Sequence, residues 1–151
     1  MIDQLPLNTE LLMTAEAEIA PPLEIGNRRV AYVTGGRFEG PRIKGRFLPG
    51  GGDWLTVRPD GTRSLDIRAV LETDDGELIY THYPGRMALP PEMSTMDWSE
   101  RAAFDPANYY FRVVPVYETG SEKYGWLNNI VAIGVGRFYE KGVGYSVYEV
   151  K

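Results

Sequence analysis

The sequence predicts an all-β protein: a single antiparallel barrel of about eight to ten short strands, with one short helix in a long loop. Three observations predict it. Pro59-Asp60-Gly61 and Asp74-Asp75-Gly76 are tight turns between alternating runs, so they make two successive hairpins. Apolar residues recur with period two along those runs, as in Leu65, Ile67, Ala69 and Leu71. One stretch, Gly35 to Trp54, is dense in glycine and sits among strand-like segments, where glycine marks bulges, bends or close backbone approach.

Residues 1–8 read as a tail and 9–151 as the barrel domain. Glu10 to Ala20 forms a first strand, interrupted by Pro21-Pro22, since proline cannot donate to a ladder. Arg28 to Gly36 and Arg42 to Leu48 follow as short β-branched and aromatic runs. Gly50, Gly51 and Gly52 then turn the chain and deliver Asp53 and Trp54 to one place, a barrel corner at a mouth or cavity. Trp54 to Arg58, Thr62 to Thr73 and Glu77 to Tyr83 make a meander. Pro84 to Ala107 breaks the pattern. It contains Pro90-Pro91 and a capping-box-like Ser94-Thr95-Met96-Asp97, so we expect a short helix and a lid at the mouth. Asn108 to Glu118 is a strand, Gly125 to Tyr139 a long strand kinked at Gly134 and Gly136, and Tyr145 to Val150 the last.

With 151 residues the chain suits one domain with a real core. A net charge of -5 with scattered Lys and Arg argues against nucleic acid. There is no cysteine, hence no thiolate ligand or nucleophile, and the single histidine, His82, lacks partners at metal-ligand spacing. No metal or cofactor is expected. No apolar run reaches about 18 residues and the start lacks a basic, apolar leader pattern, so no membrane span is expected and the cytoplasm is the expected compartment.

Asp66 and Arg68 share one strand face, and Arg112 shares a face with Tyr110, Val114 and Val116. We read both arginines as facing the lumen, where a guanidinium needs an anionic partner or a ligand. A bracing Arg–Asp network is the structural alternative. Trp126 and Asn128 open the following strand on the parity of Tyr124, a stacking surface beside an amide. Asp53, Arg68, Arg112 and Tyr80 are therefore the candidate catalytic residues, and Trp54, Tyr124, Trp126 and Asn128 the candidate binding residues. Asp53 would be the base, Arg68 and Arg112 the oxyanion holders, and Tyr80 or Tyr124 an acid. Such a set suits a cofactor-independent isomerase, cyclase or lyase acting on a small carbonyl- or carboxylate-bearing molecule, aromatic or polyketide-like. A non-catalytic binding barrel and a structural barrel with a filled lumen are the alternatives. Tyr109, Phe111 and Tyr117, read as exposed, lead us to expect a homodimer.

GGRFEGPRIKGRFLPGGGDW, DGTRSLDIRAVLETDDGELIY and YYFRVVPVYETGSEKYGWLNNIVAIGVG, in that order, resemble the family of the domain of unknown function numbered 3237. The resemblance spans about Leu23 to Val150 and implies a small antiparallel β-barrel, lipocalin- or allene-oxide-cyclase-like in shape. Barrels of that shape host enzymes and plain binders alike, so it leaves the chemistry to the site.

Overall fold

The computed structural model describes all residues, 1–151. Its strands are β1 (Thr9–Ile19), β2 (Leu23–Ile25), β3 (Arg28–Glu39), β4 (Lys44–Phe47), β5 (Gly52–Val57), β6 (Arg63–Thr73), β7 (Leu78–Ala88), β8 (Tyr110–Val113), β9 (Val116–Glu118), β10 (Val131–Tyr139) and β11 (Gly142–Val150). One α-helix, α1, spans Trp98–Ala103. Eight strands close on themselves through antiparallel pairs in the cyclic order β1, β3, β5, β6, β7, β8, β10, β11. Closure removes the long free edges that invite aggregation. Strand β4 bridges β3 and β6 beyond the end of β5, β9 extends along β7, and β2 flanks β3.

The two predicted hairpins are present. Gly61 and Gly76 take the left-handed φ of their turns, at 85° and 88°, and the Asp60 carboxylate accepts the Thr62 backbone N–H. Strand β6 buries Leu65, Ile67, Ala69 and Leu71, as its alternation requires. At Gly36 the φ is 138° and an added Cβ would collide with the Glu16 carbonyl of β1, so only glycine lets these strands pair. Gly134 and Gly136 are packing sites. A Cβ on either would come 2.5 Å from Val113 or from the Phe111 ring.

Strand β7 differs from expectation. It runs on through Pro84 to Ala88, because Pro84 needs no donor there while its carbonyl accepts from Val114. The helix of the long connection starts later than the Ser94–Asp97 pattern suggests. Asp97 is the cap: its side chain accepts the Glu100 N–H at 2.8 Å, and Glu100 accepts the Asp97 N–H at 2.9 Å. The run Asn108 to Glu118 is two strands broken at Val114-Pro115, and its inward row is opposite to the one read from sequence. Tyr109, Phe111, Val113 and Tyr117 lie in the core, and Phe111 is only 1% exposed. The residues that motivated a dimer are thus interior, which removes that ground for one. No helix is long and apolar enough to cross a membrane.

A cluster of 27 buried residues fills most of the lumen. What remains open lies at one end, where β5, the start of β6, the end of β7 and α1 meet.

Candidate active site

Asp53 is the second residue of β5, opposite Ala31 of β3 and Ile67 of β6. The preceding glycines make its placement feasible: a Cβ on Gly51 would collide with the Arg68 carbonyl of β6. The Asp53 side chain turns inward and accepts the Asp66 backbone N–H at 3.0 Å. It faces a cavity of ≈ 70 Å³ at the barrel mouth. The walls are largely apolar and aromatic. Phe111, Phe138, Tyr83 and Tyr145 form the floor and one side, and Trp98 of α1 leans over the top. Two of the pairs are edge to face, Tyr83 and Tyr145 at 5.5 Å between centroids and Phe111 and Tyr145 at 5.6 Å, while Trp98 and Phe138 are tilted at 5.9 Å. Only three lining side chains carry charge: Asp53, Arg63 and Arg101.

Burial sets the electrostatics. It raises the Asp53 carboxyl from 3.8 to about 6. The negative charge of Asp66 adds to the rise, whereas the Asp66 N–H and the charge of Arg63 oppose it. Burial, then the like charges of Arg101 and Arg29, lower the Arg63 guanidinium, and burial lowers Arg101. Tyr83, Tyr117 and Tyr145 lie deep enough that burial pushes all three phenols up, so they remain neutral donors.

Of the residues chosen from sequence, only Asp53 reaches this cavity. Arg68 stands on the outer wall, pointing into solvent with Asp66, whose carboxylate lies 3.7 Å from Arg68 Nε and 3.0 Å from His82 Nε2. Arg112 is also outside. It stacks on the exposed Tyr110 ring at 5.0 Å and donates to the Phe111 carbonyl at 2.9 Å. Both were read as facing the lumen, and strand parity excludes that. Trp54 and Tyr80 join Arg68 around a shallow groove on the same outer wall, and Tyr80 is 36% exposed.

Tyr124, Trp126 and Asn128 lie at the opposite end, beyond Thr73 at the end of β6, which is roughly 20 Å along that strand from Ile67, the partner of Asp53. They sit in or beside a 3-10 helix, Gly125–Asn129, rather than a strand. Their contacts there are with other residues of the chain. The Tyr124 hydroxyl donates to Asp75 at 2.8 Å, beside Lys123 and Thr73 on the same carboxylate. Asn128 pairs with both the N–H and the carbonyl of Thr119. Trp126 lies under the Arg42 guanidinium at 3.9 Å.

Sequence reasoning missed Arg63, Arg101, Tyr83 and Tyr145. For Arg63 a signal existed: it occupies the inward row of Leu65 and Ile67, two residues before the first leucine. For Arg101 it did not, because Trp98 and Arg101 share a helix face whose partner is set by tertiary packing alone. The segment that carries them does cover the mouth beside Asp53, as a lid would.

Fold and site define a small closed β-barrel with one carboxyl and two guanidinium groups at an aromatic mouth. The chain belongs to the family described as a protein of unknown function, DUF3237, whose model matches residues 7–150. A solved structure of a conserved protein of unknown function from Rhodopseudomonas palustris superposes with a TM-score of 0.90 at 30% identity, covering 99% of this chain and 100% of that one. A UPF0311 protein from Clostridium acetobutylicum is 37% identical over 126 residues, 83% of this chain and 79% of its own length. A hydroalkoxylation enzyme from Penicillium herquei is 29% identical over 135 residues, 85% of this chain and 74% of its own.

Proposed function

We propose that the protein is an acid–base enzyme that rearranges or cyclises a small, largely aromatic molecule bearing a carbonyl, carboxylate or hydroxyl group. The observation that carries this is Asp53: it is the single carboxyl lining an aromatic cavity, and burial keeps it protonated to about pH 6. A carboxyl of that kind gives and takes a proton near neutral pH, where an ordinary one is spent as an acid.

The hydroalkoxylation relative supports a bond-forming reaction of this class. Hydroalkoxylation adds an alcohol O–H across a C=C bond. In this cavity protonated Asp53 would deliver its proton to one alkene carbon, the substrate hydroxyl oxygen would bond to the other, and the Asp53 carboxylate would take the hydroxyl proton back. The acid is regenerated, and atoms and charge balance with no redox partner. The Tyr83 and Tyr145 phenols, kept neutral by burial, are hydrogen-bond donors for a carbonyl or carboxylate oxygen of the substrate. Reversal of the step is a lyase reaction, and a proton shuttle without ring closure is an isomerisation, so one residue set serves all three.

Phenols and aromatic acids with an unsaturated side chain are the test substrates, followed by chromatography for products of unchanged mass. Wild-type protein is expected to convert at least one, and Asp53→Asn to lose about 100-fold or more of that rate. Arg68→Ala and Arg112→Ala, on the outer wall, are expected to leave it unchanged. Full activity in Asp53→Asn would contradict the assignment.

A further inference from the structure

Resting on that reading of the cavity, we propose that the mouth takes an anionic substrate, an aromatic carboxylate or phenolate, whose oxyanion sits between the guanidinium groups of Arg63 and Arg101. None of the ion pairs in the chain includes either arginine. The single polar side-chain contact of Arg63 is the thioether of Met87, 4.0 Å from Nη1 and a weak acceptor. Arg101 Nε is the one buried side-chain polar atom of the protein with no hydrogen-bond partner. Its other neighbours are the faces of Trp98 and Phe138, at 5.8 and 5.6 Å.

Two guanidinium groups without counter-ions, partly withdrawn from water, are costly unless something supplies the missing acceptors. The chain has acids to spare, 21 against 16 basic residues, yet it places only Asp53 at this mouth. Asp53 is committed to the Asp66 N–H and forms no ion pair with Arg63 or Arg101. The counter-ion therefore comes with the ligand. A planar oxyanion such as a carboxylate fits the guanidinium fork, and the rings below accept an aromatic body.

The same contact explains what holds the lid. Helix α1 has six residues, none of them buried, and it rests on the barrel largely through Trp98 against Phe138. An oxyanion bridging Arg101 of α1 and Arg63 of β6 ties helix to barrel only when the site is occupied.

The probes are benzoate and 2-naphthoate, each against its neutral amide, in titrations at low salt followed by calorimetry and tryptophan fluorescence. Each acid is expected to bind at least about tenfold more tightly than its amide. Arg101→Gln and Arg63→Gln are expected to erase that preference, and Arg101→Lys to restore part of it. Asp53→Asn is expected to bind the acids as well as wild type or better, since it removes a like charge. Arg101 lies on a surface helix, so its variants fold whatever befalls Arg63→Gln. Equal affinity for acid and amide, unchanged acid binding in Arg101→Gln, or no acid binding at millimolar concentration each overturns the proposal. Acid preference together with full turnover in Asp53→Asn would sink the acid–base reading and leave the anion site standing. Lost turnover in Asp53→Asn with no acid preference would do the reverse.

Discussion

Replacing Asp53 by Asn is expected to stabilise the protein at pH 8 and to leave its stability unchanged at about pH 3. Burial raises the folded-state pKa of this carboxyl from 3.8 to about 6. At about pH 3 and below it is protonated in both folded and unfolded chains and contributes almost nothing. Between about 4 and 6 the unfolded chain ionises while the folded one resists, so stability falls as pH rises. Above about 6 the penalty is constant, and a shift of that size corresponds to up to about 3 kcal/mol. Asparagine cannot ionise, and its carbonyl oxygen still accepts the Asp66 N–H. Thermal melts should therefore show a gain on the order of 6–12 °C at pH 8 that vanishes at about pH 3. A loss of stability at pH 8, or the same gain at both pH values, would contradict the burial of this carboxyl. A site that destabilises its own fold in order to hold a reactive group is a common trade-off in enzymes.

The second large effect belongs to Phe111. Truncation to Ala is expected to cost about 3–5 kcal/mol, because it opens a void among packed rings. Phe111 is 1% exposed, lies 5.8 Å from Phe138 and 5.6 Å from Tyr145, and fills the space that Gly136 leaves. Arg112→Ala, one residue along, removes a surface stack on Tyr110 and one hydrogen bond to a carbonyl, and should cost less than about 1 kcal/mol. Urea denaturation of the two variants reads the difference. Equal costs, or a larger one for Arg112, would mean that β8 faces the other way.

That pair of residues also shows why the site was only partly legible. In β6 the two rows differ sharply, Leu65-Ile67-Ala69-Leu71 against Asp66-Arg68-Val70-Glu72, so the burial requirement fixes the face. In NYYFRVVPVYE the contrast is weaker. Tyr109, Phe111, Val113, Pro115 and Tyr117 are all apolar or aromatic, while the other row mixes Asn108, Arg112 and Glu118 with Tyr110, Val114 and Val116. Alternation therefore favours the first row, and reading Arg112 as interior went against it. Long-range packing fixes the same face: Gly134 and Gly136 on β10 leave room for Val113 and Phe111. Reading Arg112 as interior followed from treating apolar neighbours as a sign of burial, when Val114 and Val116 are in fact 46% and 47% exposed. Pro115 adds to the difficulty by ending β8 within what reads as one strand.

Asp53 was legible for a local reason. Three successive glycines before an acid at a strand start are costly to order, and each has its reason: Gly50 takes a φ of 112°, and a Cβ on Gly51 or Gly52 would press on the carbonyl of Arg68 or of Ala31. The turns and the meander followed from short-range chemistry in the same way. Tyr124, Trp126 and Asn128 were misplaced because a 3-10 helix lacks the two-residue period that the strand reading assumed. The arginines that do reach the cavity come from a strand start and a six-residue helix, brought together by barrel closure, which no local pattern encodes.

The most direct test of Asp53 as the acid–base group needs no substrate. Carbon-13 NMR of aspartate-labelled protein, assigned by the Asp53→Asn variant, follows the Asp53 carboxyl through its titration. A midpoint near 6 is expected, and a midpoint at or below about 4 would mean that Asp53 is an ordinary ionised carboxylate and not the proton donor of this cavity.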